Sequence, residues 1–268
     1  MIKLKDILQE ACEKALARTV PITKENFDRM LPSCSDAVDA NKQGYVIYRG
    51  LEKIIPSLYA SVNPSEYYRY SMNTTNFYTA LIDVLPSWVD YPKRSRSIIC
   101  STSMGSAGCF GNTIYQVFPQ NGASIGICPK SDFWGSFKIV KNRLKYAKDM
   151  DLFNYCMESF IRHVLNIKFS SSDLTPSGII NILKQMDDVM NNKKDEIYTA
   201  DEYDENIWND VKQRWKVSWM HYFDELLDPE NNEFMVMPIK NFNVTEKNVS
   251  GREVWTDAYS LLKVDESR

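Results

Sequence analysis

The chain has 268 residues, 44% of them hydrophobic, which is enough for one large core or two smaller ones, and its formal net charge is -3. That charge offers no overall attraction to a phosphate backbone, so nucleic-acid binding would have to rest on a local basic patch. No run approaches the roughly 20 apolar residues of a membrane span, and six cysteines without a C-x-x-C pair, beside two histidines, exclude a zinc-ligand spacing.

The first residues, MIKLKDILQEACEKALART, alternate charged and apolar side chains, unlike a signal-peptide core. The expectation is a cytoplasmic protein with no membrane partner and with free, mostly buried thiols. From Ile2 to Arg18, Leu4, Ile7, Leu8, Ala11, Ala15 and Leu16 form the one-sided stripe of an amphipathic helix, expected to pack on the domain. Thr23 is an N-cap for a short helix, and a further helical piece from Ser35 to Lys42 stops at Gly44, so residues 1–43 predict a helical cover.

Tyr45 to Tyr48 then predicts a strand that ends in Arg49-Gly50. The planar five-donor fork of Arg49 suits either an outward salt bridge or a phosphate or carboxylate in a cleft, and Gly50 lets a backbone or a ligand come close. Thr75 to Leu85 suits a helix with Phe77, Tyr78, Leu81, Ile82 and Leu85 along one broad side. The aromatic run just before it, Tyr67 to Tyr70, is dense enough to leave a ring for stacking on a ligand. Tyr91 to Arg96 is a turn with three positive charges, expected to be solvated and the best candidate contact for phosphate.

Ser97 to Cys100 predicts a buried strand, which leaves the hydroxyls of Ser101, Thr102 and Ser103 where the strand gives way to a loop. Thr113 to Phe118 and Ala123 to Cys128 predict two strands of a hairpin joined by Pro119-Gln-Asn-Gly122. Helices are expected at Ile139–Tyr146, Asp151–Ile167, Pro176–Met190 and Asp204–Leu227, the last with Trp208, Trp215 and Trp219 along one face. Strand texture returns at Glu233–Met237, Gly251–Thr256 and Tyr259–Val264. The order predicts an α+β fold: one sheet-containing domain over residues 1–268, with a helical insertion at 130–230.

Three separated features stand in a fixed order: Arg49-Gly50 and Ser101-Thr102-Ser103, each at a strand end, and Glu253 at a strand start. With the Pro119–Gly122 turn, they resemble the Arg, Ser-Thr-Ser and Glu motifs of the arginine-type mono-ADP-ribosyltransferases, in the cholera-toxin-like branch, over about Tyr45–Pro129 and Glu233–Val264. The resemblance implies a split β-sheet core, NAD as co-substrate and no metal. It also implies a toxin or a factor in conflict between phage and bacterium, acting on a macromolecular acceptor and held by an inhibitory protein partner.

On the same resemblance Glu253 stabilises oxocarbenium-like charge on the ribose and holds a ribose hydroxyl, and Arg49 binds the phosphate or ribose side of NAD. Ser101 braces ribose and glutamate, Thr102 and Ser103 support the loop, and Gly50 and Tyr78 complete the NAD-binding set. Glu253→Gln is then expected to remove activity with little loss of stability. The family's final motif commonly has two glutamates flanking one residue, whereas Gly251-Arg252-Glu253 retains the second alone. That departure opens the acceptor to a nucleic-acid base or a protein side chain other than arginine. The alternative is a non-enzymatic binding protein on the same fold, with the helical insertion and the N-terminal helix as partner surfaces.

Overall fold

The computed structural model describes residues 19–21, 23–51, 59–62, 76–143, 150–167, 175–193, 202–242, 251–257 and 259–263. The stripe of Ile2–Arg18 and the aromatic run Tyr67–Tyr70 lie outside the described residues. The chain divides into two compact units, one of Met1–Tyr70, Tyr91–Asp132 and Phe234–Arg268, the other of Ser71–Asp90 and Phe133–Glu233.

The first unit holds the strands β1 (Thr19–Pro21), β2 (Tyr48–Leu51), β3 (Tyr59–Val62), β4 (Ile98–Ser101), β5 (Thr113–Pro119), β6 (Ser124–Ile127), β7 (Met235–Pro238), β8 (Glu253–Thr256) and β9 (Tyr259–Lys263). Among the described residues they form one sheet in the order β1-β3-β9-β5-β2-β4-β8-β6-β7, with antiparallel pairing throughout. With its helices the protein is therefore α+β.

Helices α1 (Lys24–Met30) and α2 (Ser35–Lys42) lie on this sheet. Thr23 starts α1 by accepting from the Asn26 backbone N–H at 3.2 Å, and α2 stops where Gly44 turns to φ +90°. Phe27, Cys34, Ala37 and Ala40 bury against Tyr115, Val117, Phe118, Ile125 and Ile127, with Phe27 edge-on to Phe118 at 6.0 Å. The expected strand at Tyr45–Tyr48 is displaced: the Tyr45 N–H closes the end of α2 on Ala40 O at 3.0 Å, and the ladder starts at Tyr48. Arg49 and Gly50 thus sit inside β2, which runs on to Leu51, rather than at its end.

The hairpin expected at Pro119–Gly122 does not form. The two edges of β5 are taken by β9 and β2, and β6 pairs with β7 and β8 instead. The turn residues are bound elsewhere: Asn121 donates from its backbone to Ser33 O at 2.7 Å and from its amide to Pro32 O and Ser35 Oγ, and accepts from the Asp36 N–H. A crossover pinned at its tip replaces a two-strand turn.

The second unit contains α3 (Asn76–Ile82), α5 (Lys138–Arg143), α6 (Met150–Ser159), α7 (Pro176–Lys193), α8 (Glu202–Arg214) and α9 (Trp219–Leu226); the short α4 (Met104–Gly108) belongs to the first. It covers Phe133–Glu233, close to the expected insertion, and also takes in Ser71–Asp90. α6 continues as one π-helical turn, Phe160–Val164. The single helix expected over Asp204–Leu227 is two, because Ser218 caps α9 by accepting from the His221 N–H at 3.2 Å. Trp208 and Trp219 meet across that break, their rings 6.2 Å apart and nearly perpendicular. No described helix is long and apolar enough to cross a membrane.

Candidate active site on strands β2, β4 and β8

The three motif segments lie on three consecutive strands of the sheet. Ser101 is the direct cross-strand partner of Glu253 on β8 and of Tyr48 on β2. Directly opposed residues of antiparallel strands project to one face, so Tyr48, Ser101 and Glu253 form a row across it. Their neighbours Cys100 and Val254 point the other way, into the core of the first unit.

Each hydroxyl of the Ser-Thr-Ser segment shapes the backbone around this row. Ser101 Oγ accepts from the Ser103 N–H at 3.1 Å, and Ser103 Oγ caps α4 by accepting from the Ser106 N–H. Thr102 is bound to Arg252 in both directions: its N–H donates to Arg252 O at 3.1 Å, and its Oγ1 accepts from the Arg252 N–H at 3.2 Å. The residue immediately before Glu253 is therefore clamped to the segment. Glu253 itself is anchored through its N–H on Lys130 O and through its carbonyl, which accepts from the Cys128 N–H.

Arg49 is next to Tyr48 on β2, so its side chain leaves from the other side of the strand. β2 and β4 are bridged only at Tyr48 and Ser101, and the guanidinium occupies the splay beyond. Its Nη1 donates to Ile99 O at 2.9 Å, and its central carbon stands 4.5 Å from the Phe110 ring centre. Among the described residues it makes no hydrogen bond to Ser101 or Glu253, and its buried Nε has no partner. The close approach anticipated at Gly50 is made by backbone: a Cβ there would run into the Ala107 carbonyl and come within 2.6 Å of that of Gly111. α4 and its following turn are thereby seated on β2.

The carboxylate of Glu253 is bound by a residue the motif order does not include. Arg94 Nη2 donates to Glu253 Oε1 at 2.8 Å, with both side chains buried. The turn Tyr91–Arg96, expected to be a solvated basic patch, is thus divided: Arg96 is exposed, Lys93 half-buried, and Arg94 only 2% exposed. Nothing in the sequence separates Arg94 from its two basic neighbours. What carries it over β8 is the short turn that ends four residues later at the fully buried strand β4. Ser101 and Glu253 are 2% and 4% exposed, so this face is covered.

Tyr78, assigned by sequence to the NAD-binding set, belongs instead to the interior of the helical unit. It is 1% exposed, and its ring contacts those of Phe77, Trp134, Phe153 and Phe223. Burial, with the nearby Cys156 thiol next, pushes its phenol well above the usual range. A side chain enclosed this way has no surface left for a nicotinamide or adenine ring. In the first unit burial raises the Tyr48 phenol and pushes the Cys100 thiol up to about 12, although Arg49 pulls it down and Glu253 adds to the rise. Cys109, by contrast, is exposed, while the other described free thiols are buried as expected.

No family model, curated protein or solved structure matches the chain. Among the described residues no group of three or more histidine, cysteine, aspartate or glutamate side chains is placed to hold a metal ion. The site's own donor set is one carboxylate in a row with a hydroxyl, a guanidinium bound to that carboxylate, and a second guanidinium on the other side of the adjacent strand.

Proposed function

We propose that the protein is an NAD-dependent mono-ADP-ribosyltransferase that passes ADP-ribose to a nucleic-acid base or a protein side chain. The observation that carries this reading is the placement of Ser101 and Glu253 as cross-strand partners on β4 and β8, with Arg49 on the adjoining β2. Segments far apart in the sequence come together on neighbouring strands. The donor set beside the ribose is the Glu253 carboxylate with the Ser101 hydroxyl next to it, while Arg49 leaves β2 from the other side and donates to Ile99 O.

Breaking the glycosidic C–N bond sends its electron pair to nicotinamide, which departs neutral, and leaves positive charge shared by C1′ and the ribose ring oxygen. A carboxylate aimed at that charge lowers the barrier. The acceptor's lone pair then forms the new bond to C1′, and the acceptor gives up its proton. Because Ser101 and Glu253 are nearly fully covered, NAD binding on this reading goes with a local opening of the face.

The buried Arg94–Glu253 pair favours a second reading, a non-enzymatic binding protein in which Glu253 is purely structural. Labelled NAD incubated with the protein and with cellular protein and nucleic acid separates the two. The enzyme reading predicts nicotinamide release and label on a macromolecule, both lost in Glu253→Gln, with nuclease or protease sensitivity assigning the acceptor. No transfer, no NAD cleavage and no thermal shift with NAD would leave the binding protein standing. Full activity in Glu253→Gln would remove Glu253 from the chemistry.

A further inference from the structure

The turn that carries Arg94 is fastened to β8 at several points. Trp255, two residues after Glu253 and on the same face of the strand, donates from Nε1 to Pro92 O at 3.0 Å. Its indole stacks on Tyr91 with ring centres 6.0 Å apart and planes within 14°, and the Tyr91 hydroxyl in turn donates to Phe234 O at 3.2 Å. Within the turn Ser97 Oγ donates to Lys93 O at 2.8 Å, and the Arg96 N–H to the same oxygen at 3.0 Å. The guanidinium carbon of Arg94 stands 5.6 Å from the Trp255 ring, so the arginine is held along the indole while its Nη2 reaches Glu253. Room for the indole comes from Gly126, the cross-strand partner of Trp255, where any Cβ would overlap the ring.

A buried ion pair stabilises weakly against an apolar replacement, and one built with this many supports calls for a role beyond stability. We propose that Arg94 is the positioning residue of Glu253: by holding Oε1 it fixes the rotamer of the carboxylate on the sheet face, without itself contacting NAD. This rests on the transferase reading above. A guanidinium suits the task because its planar fork sets direction as well as distance, whereas an ammonium is a point charge on a flexible stem. Misplacing a reacting group by about 1 Å costs on the order of 100-fold in rate, so loss of this contact is expected in kcat rather than in NAD binding.

The test uses the full chain and four proteins: wild type, Arg94→Met, Arg94→Lys and Glu253→Gln. Each is assayed for nicotinamide release well below its own melting temperature, with kcat and KM for NAD measured separately. Expected are a kcat lower by about 100-fold in Arg94→Met, with KM changed little, and partial recovery in Arg94→Lys to within about tenfold of wild type. If Arg94→Met does not fold, Arg94→Lys carries the comparison, because it keeps the charge and loses the fork. A wild-type kcat in whichever variant folds overturns the assignment. So does a raised KM at unchanged kcat, which would make Arg94 an NAD-binding residue. A wild-type protein that neither binds nor cleaves NAD removes the transferase reading itself and the positioning role with it.

Discussion

Gly251 stands at φ +76°, in the left-handed region, with nothing within 4 Å of where a Cβ would lie. An L-residue there would cost about 1–2 kcal/mol in backbone strain alone. The chain thus enters β8 through a turn that suits glycine. Two residues on, Glu253 faces the buried Arg94 guanidinium, which changes what its substitution should do. Glu253→Gln leaves that cation buried opposite a neutral amide and is expected to lower stability by about 3 kcal/mol, read as a shift of the urea midpoint, rather than leaving stability intact. An unchanged midpoint would mean the pair is looser than its geometry. The cysteines divide in the same way. With its thiol pushed up to about 12 by burial, Cys100 should stay unalkylated by iodoacetamide at pH 9 in the folded protein, while the exposed Cys109 is modified. The unfolded chain gives up the Cys100 proton near the ordinary thiol value of 9.0 and the folded chain holds it until about 12. That contribution to stability is present below pH 9 and is lost as pH rises toward 12. Peptide mass mapping that finds Cys100 labelled as readily as Cys109 would contradict this.

At the scale of elements, the identity of most strands was legible, β1 and β3 excepted, and strand partnership was not. β-branched and aromatic runs marked β4, β5 and β6 to within a residue or two, because strand propensity is local. The Pro119–Gly122 turn looked like a hairpin, yet its Asn121 is claimed by residues 32–36 and its flanking strands by others. Competition between non-local partners decides such pairing, and local composition carries no record of it. The break between α8 and α9 was not legible either: Ser218 caps α9, and Trp208 and Trp219 meet across the break. β8 and β6 show a packing constraint of the same kind. Gly126→Ala would push a methyl into the Trp255 indole, which cannot swing aside while Tyr91 and Pro92 O hold it. The expected result is a loss of about 1–3 kcal/mol in chemical denaturation, together with a shift in tryptophan emission. Wild-type stability in Gly126→Ala would show that the indole has room to move.

On the scale of the whole chain, the helical unit is made from two stretches, and the shorter one sits beyond the boundaries the sequence suggested. Phe77 and Tyr78 pack against Phe223, and Trp88 Nε1 donates to Leu227 O at 2.9 Å. Cutting out residues 133–233 alone should therefore strand the apolar side of α3, giving a chain that binds ANS and aggregates. A monomeric product without dye binding would show that 71–90 is covered by something other than its own unit. The sequence by itself determined some local features: the strands β4, β5, β6 and β8 and most of the helices, the cap at Thr23, and the presence of Arg49, Ser101 and Glu253 on or beside strands. Tertiary structure alone decided that Ser101 and Glu253 stand side by side, that Tyr78 is sealed in an aromatic core, and that Arg94, alike in sequence to its exposed neighbour Arg96, is the buried partner of the carboxylate. Propensity and capping act over a few residues and leave their mark in the sequence. Burial and charge pairing are settled by which distant segments pack together, and a single chain read residue by residue holds no local trace of that choice.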